Sequence, residues 1–88
     1  MSNNNAINVQ CIVYHNVDLA YLKGLIIVNG PVSPAQMTEL VKQACTYGTF
    51  ISCIQTAEDR WEVQVELTED KRDAFGSAFN FHVKEGGI

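Results

Sequence analysis

Residues Arg60 to Leu67 alternate without a fault. Trp61, Val63, Val65 and Leu67 are apolar; Arg60, Glu62, Gln64 and Glu66 are polar. A period of two is the signature of a β-strand with one face buried and the other wet. A one-residue slip would turn the whole apolar set outward, so the register of such a strand is strongly specified. A chain carrying this segment must build a sheet and must cover one face of it.

The cover is legible as well. Ser33 can cap a helix, Pro34 suits its first position and Gln36 completes a capping box. Met37, Leu40, Val41, Ala44 and Cys45 then recur at helical spacing and form one apolar stripe. Gly48 reads as the residue that ends this helix in a left-handed conformation. A second, shorter helix follows Thr68, which reads as its cap. Glu69 and Asp70 stand where the helix dipole favours acids, and Phe75, Ala78 and Phe79 supply the apolar side.

Three further strands complete the pattern. Ile7 to Tyr14 alternates, with Ile7, Val9, Cys11 and Val13 inward and Ile12 and Tyr14 among the residues opposite. Leu25-Ile26-Ile27-Val28 is an unbroken apolar run, which predicts a strand covered on both faces. Thr49 to Gln55 predicts Phe50, Ser52 and Ile54 on one face and Ile51 and Cys53 on the other. His15 to Asp18 reads as a turn, and Phe79 to Val83 alternates as a possible last strand. The expected fold is α+β. It has a small antiparallel sheet of four to five strands, a main helix at 33–47 and a short one at about 69–79. Residues 7–85 form the domain, and 1–6 and 86–88 are tails.

From residue 24 the order is strand, helix, strand, strand, short helix, possible strand. This order is similar to ferredoxin-like (split βαβ) domains, with an extra strand in front. It also looks like the small regulatory domains of the ACT type. That resemblance implies amino-acid binding near the first strand–helix loop. In that loop Asn29-Gly30-Pro31-Val32 matches the ACT pattern only at Gly30, so no ligand residue carries over.

Charge narrows the function. The net charge is −4. All of it arises in residues 58–73, where Glu58, Asp59, Glu62, Glu66, Glu69, Asp70 and Asp73 face Arg60, Lys71 and Arg72. Nucleic-acid backbone binding needs a basic face, so direct nucleic-acid binding is not expected. No apolar run is long enough for a membrane helix, and the first residues lack a secretory pattern, so the cytoplasm is the expected location. Cys11, Cys45 and Cys53 are odd in number and read as buried free thiols.

Catalysis is not expected. No nucleophile elbow, phosphate loop or dinucleotide glycine pattern is present. The alternative is a small enzyme with an unrecognised site, using His15, Asp18, His82 or a cysteine. The cysteine spacing matches no structural zinc motif, so neither metal nor cofactor is expected.

Protein–protein contact remains. One or two helices cover one sheet face, which leaves the other for a second chain. A homodimer is the simplest such solution. The expected function is a small regulator or inhibitor that binds a protein partner. Glu62, Glu66, Glu69, Asp70 and Asp73 form its polar contact surface. Tyr14 and Trp61 are candidate aromatic anchors, although the alternation makes Trp61 a core residue first. Small phage-encoded inhibitors of host defence use acidic surfaces of this general kind.

Overall fold

The computed structural model describes residues 7–15 and 22–83. Its elements are β1 (Ile7–His15), β2 (Leu22–Asn29), α1 (Pro34–Ala44), β3 (Gly48–Ala57), β4 (Arg60–Leu67), a 3₁₀ turn (Glu69–Lys71), α2 (Arg72–Ala78) and β5 (Phe81–Val83). The class is α+β. The strands form one sheet in the order β3-β4-β2-β1-β5, with every neighbouring pair antiparallel. The predicted turn at His15–Asp18 falls mostly outside the described residues, as do the tail residues 1–6 and 86–88.

Both helices contribute to one core. Ile7 and Val9, Leu22, Ile26 and Val28, and Val63, Val65 and Leu67 are buried on one face of the sheet. They pack with Met37, Leu40 and Ala44 of α1 and with Phe75 and Phe79 of the α2 region. Ser33 caps α1 as its sequence predicts. Its hydroxyl accepts from the Gln36 N–H at 3.2 Å, and the Gln36 side chain accepts from the Ser33 N–H at 2.8 Å. An aromatic triad locks the turn after α1 onto α2. Tyr47 meets Phe75 and Phe79 edge-on at 6.4 and 5.8 Å, and the two phenylalanines lie 5.2 Å apart. Such contacts add to simple area burial.

Several local expectations are corrected. Helix α1 ends at Ala44, so Cys45 leaves the apolar stripe and is exposed. Cys11 and Cys53 are only half-buried, so the three thiols are free but none is fully enclosed. Gly48 does not end the helix in a left-handed conformation; it is the first residue of β3. Its glycine identity serves close approach instead, since a Cβ there would collide with the Glu66 carbonyl oxygen and lie 2.8 Å from Leu67 Cδ2. Gly30 is the glycine with positive φ among those described, at 133°. The Thr68 hydroxyl caps no helical N–H and donates to the Asp70 carboxylate.

Strand β3 departs most from its predicted pattern. Irregularities between Phe50 and Ser52 and between Gln55 and Ala57 each insert one extra residue against β4. The first insertion brings Phe50 and Cys53 to the same face, opposite Val65 and Val63, while Ile54 lies opposite Glu62. A bulge resets alternation in this way.

Candidate functional site

The second face of the sheet has no described helix on it. Its composition follows from the register. Across β1, β2, β4 and β3 the successive rows are Gln10-Ile27-Glu62-Ile54, Ile12-Leu25-Gln64-Ser52 and Tyr14-Lys23-Glu66-Thr49. The β1–β2 side therefore holds an apolar patch, Ile12 directly against Leu25 with Ile27 and Tyr14 beside them, bordered by Gln10 and Lys23. The β4 column is charged. Leu25 and Ile27 alternate with fully buried neighbours and are themselves half-exposed, so no described element supplies the second cover predicted for this run.

Among the described residues five large apolar side chains are exposed: Ile12 (49%), Tyr14 (42%), Phe50 (44%), Ile51 (42%) and Ile54 (53%). They fall on two strands only, β1 and β3. Scattered exposed apolar residues mean little, but clustered ones mark contact surfaces; Ile12, Tyr14 and Ile54 lie on the open face, Phe50 on the helix side and Ile51 at a bulge.

The acidic residues separate. Glu62 and Glu66 stand on the open face. Glu69 and Asp70 lie in the 3₁₀ turn and Asp73 in α2, past the end of β4. Compensation is local. The Arg60 guanidinium donates twice to Glu62 Oε2, at 3.3 and 3.1 Å. Arg72 pairs with Glu69 at 3.0 Å, and Lys23 stands in register opposite Glu66. Exposed pairs of this kind contribute about 0–1 kcal/mol each; they offset Glu62, Glu66 and Glu69, and the other acids of the segment carry its net negative charge. The Thr68 hydroxyl, which donates to it, holds the Asp70 carboxyl below its ordinary range. Tyr14 and Trp61 lie on opposite faces. Trp61 aligns with Val28 on the core side and is half-buried, and its Nε1 is buried with no partner among the described residues.

Chemistry-bearing groups do not gather. Among the described residues no three His, Cys, Asp or Glu side chains come together in a metal-binding group. No described helix is long and apolar enough to cross a membrane. The Gly30 N–H, in the loop of the ACT resemblance, donates to the Asp59 carbonyl at 2.8 Å and so ties that loop to the β3–β4 hairpin.

The thiols differ in environment. Burial pushes the Cys11 thiol up, against a hydrogen bond from Asn80 that lowers it. Burial also raises Cys53. A raised thiol is less often thiolate and reacts more slowly. Limited iodoacetamide treatment at neutral pH is therefore expected to label exposed Cys45 first, as read by peptide mass spectrometry. Labelling of Cys11 or Cys53 ahead of Cys45 would contradict these burial assignments.

Comparison with known proteins adds no relative. No family model matches the chain, and neither a curated protein nor a solved structure matches it significantly.

Proposed function

We propose that this chain is a non-enzymatic protein-binding module, a regulator or inhibitor whose contact surface is the open face of its sheet. One observation carries the reading. Ile12 and Leu25 stand directly opposite each other, with Tyr14 and Ile27 adjoining, on a face that no described element covers. Glu62 and Glu66 border this patch and set the polarity of its rim. Protein interfaces commonly pair an apolar centre with a polar rim. Glu69, Asp70 and Asp73 contribute at most a separate acidic edge.

The architecture fits a split βαβ arrangement in which β4 lies between β2 and β3, as in the ferredoxin-like order. Strand β1 lies between β2 and β5. The free cysteines suit a reducing cytoplasmic setting.

The test uses the double variant Ile12→Glu with Tyr14→Ala. Both side chains are exposed, so the melting temperature is expected to stay within about 4 °C, the scale for a loss of about 0.5 kcal/mol in a domain of this size. Proteins captured by the wild-type chain from extract of its source cells are expected to be lost. Glu62→Lys with Glu66→Lys should weaken capture and change its salt dependence. Capture of the same proteins by both variants, as strong as by wild type, would defeat the reading.

A further inference from the structure

We infer that β3 is a self-pairing edge, along which two copies of the chain join antiparallel about a two-fold axis to make one continuous sheet. The inference deepens the protein-binding reading, and rests on it, by assigning one of the partners as a second copy.

Among the described residues β3 is the outermost strand on its side, and it is ten residues long. An edge strand presents unpaired backbone N–H and C=O groups, and proteins commonly block such edges with lysine, proline or short length. β3 has no lysine, no proline and ten residues; its two bulges, which also discourage edge pairing, leave Ser52–Gln55 regular between them. From Gly48 to Ala57 it carries no charged residue and no proline, whereas its neighbour β4 carries Arg60, Glu62 and Glu66. A two-fold antiparallel pair sets the residue at the axis opposite its own copy and its neighbours close by, so a charge near the centre of the strand would confront itself. A neutral strand accepts itself.

The exposed side chains decide between edge and face. Three of the five exposed large apolar residues lie on β3, and they lie on both sides of the sheet. Phe50 is on the helix side opposite Val65, Ile54 is on the open side opposite Glu62, and Ile51 sits at the first bulge. A partner docked flat on one face would cover only one side. A strand added alongside covers both. The bulges confine regular pairing to Ser52–Gln55, so the two-fold contact centres there.

The other edge is differently finished. β5 pairs with the start of β1, and the Asn80 side chain accepts from the next outward group, the Cys11 N–H, at 3.4 Å. Pairing through β3 leaves the Ile12–Leu25 patch of each copy free and doubles it, which would make the assembly bivalent toward its other partner.

Sedimentation equilibrium of the full chain, with Ile54→Lys and Ile54→Glu variants, tests this inference. Wild type is expected to sediment at twice the 9.8 kDa protomer mass. Each variant alone is expected to self-associate at least about a hundredfold more weakly, because like charges meet across the axis. Mixing the two variants in equal amounts should restore the dimer. Ile12→Glu should leave it intact. Hydrogen exchange of wild type should accelerate at residues 52–55 on dilution. A 9.8 kDa species at every concentration, dimers unaffected by either Ile54 variant, a mixture that stays monomeric, exchange independent of dilution, or loss of the dimer in Ile12→Glu would each overturn the inference. If the dimer behaves as expected but the Ile12→Glu, Tyr14→Ala chain still captures its partners, the open-face reading fails while the edge pairing stands.

Discussion

Replacing Phe75 by alanine is expected to remove about 3–5 kcal/mol of stability, the range for a buried phenylalanine that leaves a cavity. A domain of this size holds only about 5–15 kcal/mol in total, so the loss is a large share of it and should lower the melting temperature by roughly 12–40 °C. Phe75 is fully buried, and its ring is shared by three elements. It stacks edge-on with Tyr47, tilts against Phe79 and fills the space above Gly24 of β2. A Cβ at Gly24 would come within 2.7 and 2.8 Å of the ring's far atoms. Gly24→Ala alone is therefore expected to cost about 1–3 kcal/mol by overpacking. In the Phe75→Ala background that methyl would point into the vacated space, so the double variant should be more stable than the two losses predict by addition. Urea denaturation of the four chains measures this coupling. Simple additivity would show that the ring and Gly24 do not share that space.

Gly48→Ala is expected to cost about 3 kcal/mol, toward the upper end for overpacking. Alanine normally stabilises a folded chain relative to glycine by about 0.4–1 kcal/mol, because it restricts the unfolded state. Here the new methyl would collide with the Glu66 carbonyl, a backbone atom of β4. A side chain can rotate away; a strand paired on both sides cannot. The clash therefore outweighs the entropic gain. Gly76→Ala is the control. A Cβ there meets nothing within 4 Å, and the position is helical, so that change should stabilise by up to about 1 kcal/mol. A melting temperature for Gly48→Ala at or above wild type would show that β3 and β4 are not packed so closely at this point.

These two sites also show where local pattern informs and where it misleads. The alternation of Arg60–Leu67 and the capping box at Ser33 are properties of consecutive residues, and both appear in the fold as the sequence predicts. Gly48 was legible as a constrained glycine, but its constraint comes from a strand whose sequence lies eighteen residues further on. Tyr47 carried no local signal at all; its role depends on α2 folding back over the turn. In β3 the predicted faces fail because a bulge is invisible to simple alternation, and Phe50 and Cys53 end on one side.

The candidate surface divides similarly. Ile12 and Tyr14 could be placed opposite the buried side of β1 from spacing alone. The run Leu25–Val28 looked doubly covered because β-branched residues suit either environment; in the structure only alternate members are buried. The acidic segment looked continuous because its residues are neighbours in sequence. The turn after Leu67 carries Glu69, Asp70 and Asp73 out of the strand that holds Glu62 and Glu66. The role of Ile51 and Ile54 was hidden, since only the strand order makes β3 an edge.

Everything functional depends on one sheet surface staying wet until another molecule arrives. Hydroxyl-radical footprinting of the wild-type chain, diluted well below any self-association, reads this directly at Ile12, Tyr14, Leu25 and Ile27. Ready oxidation of Ile12 and Tyr14 and intermediate oxidation of Leu25 and Ile27 are expected. Protection of all four at core level, unchanged by dilution, would mean that the polypeptide seals its own sheet and would contradict the account.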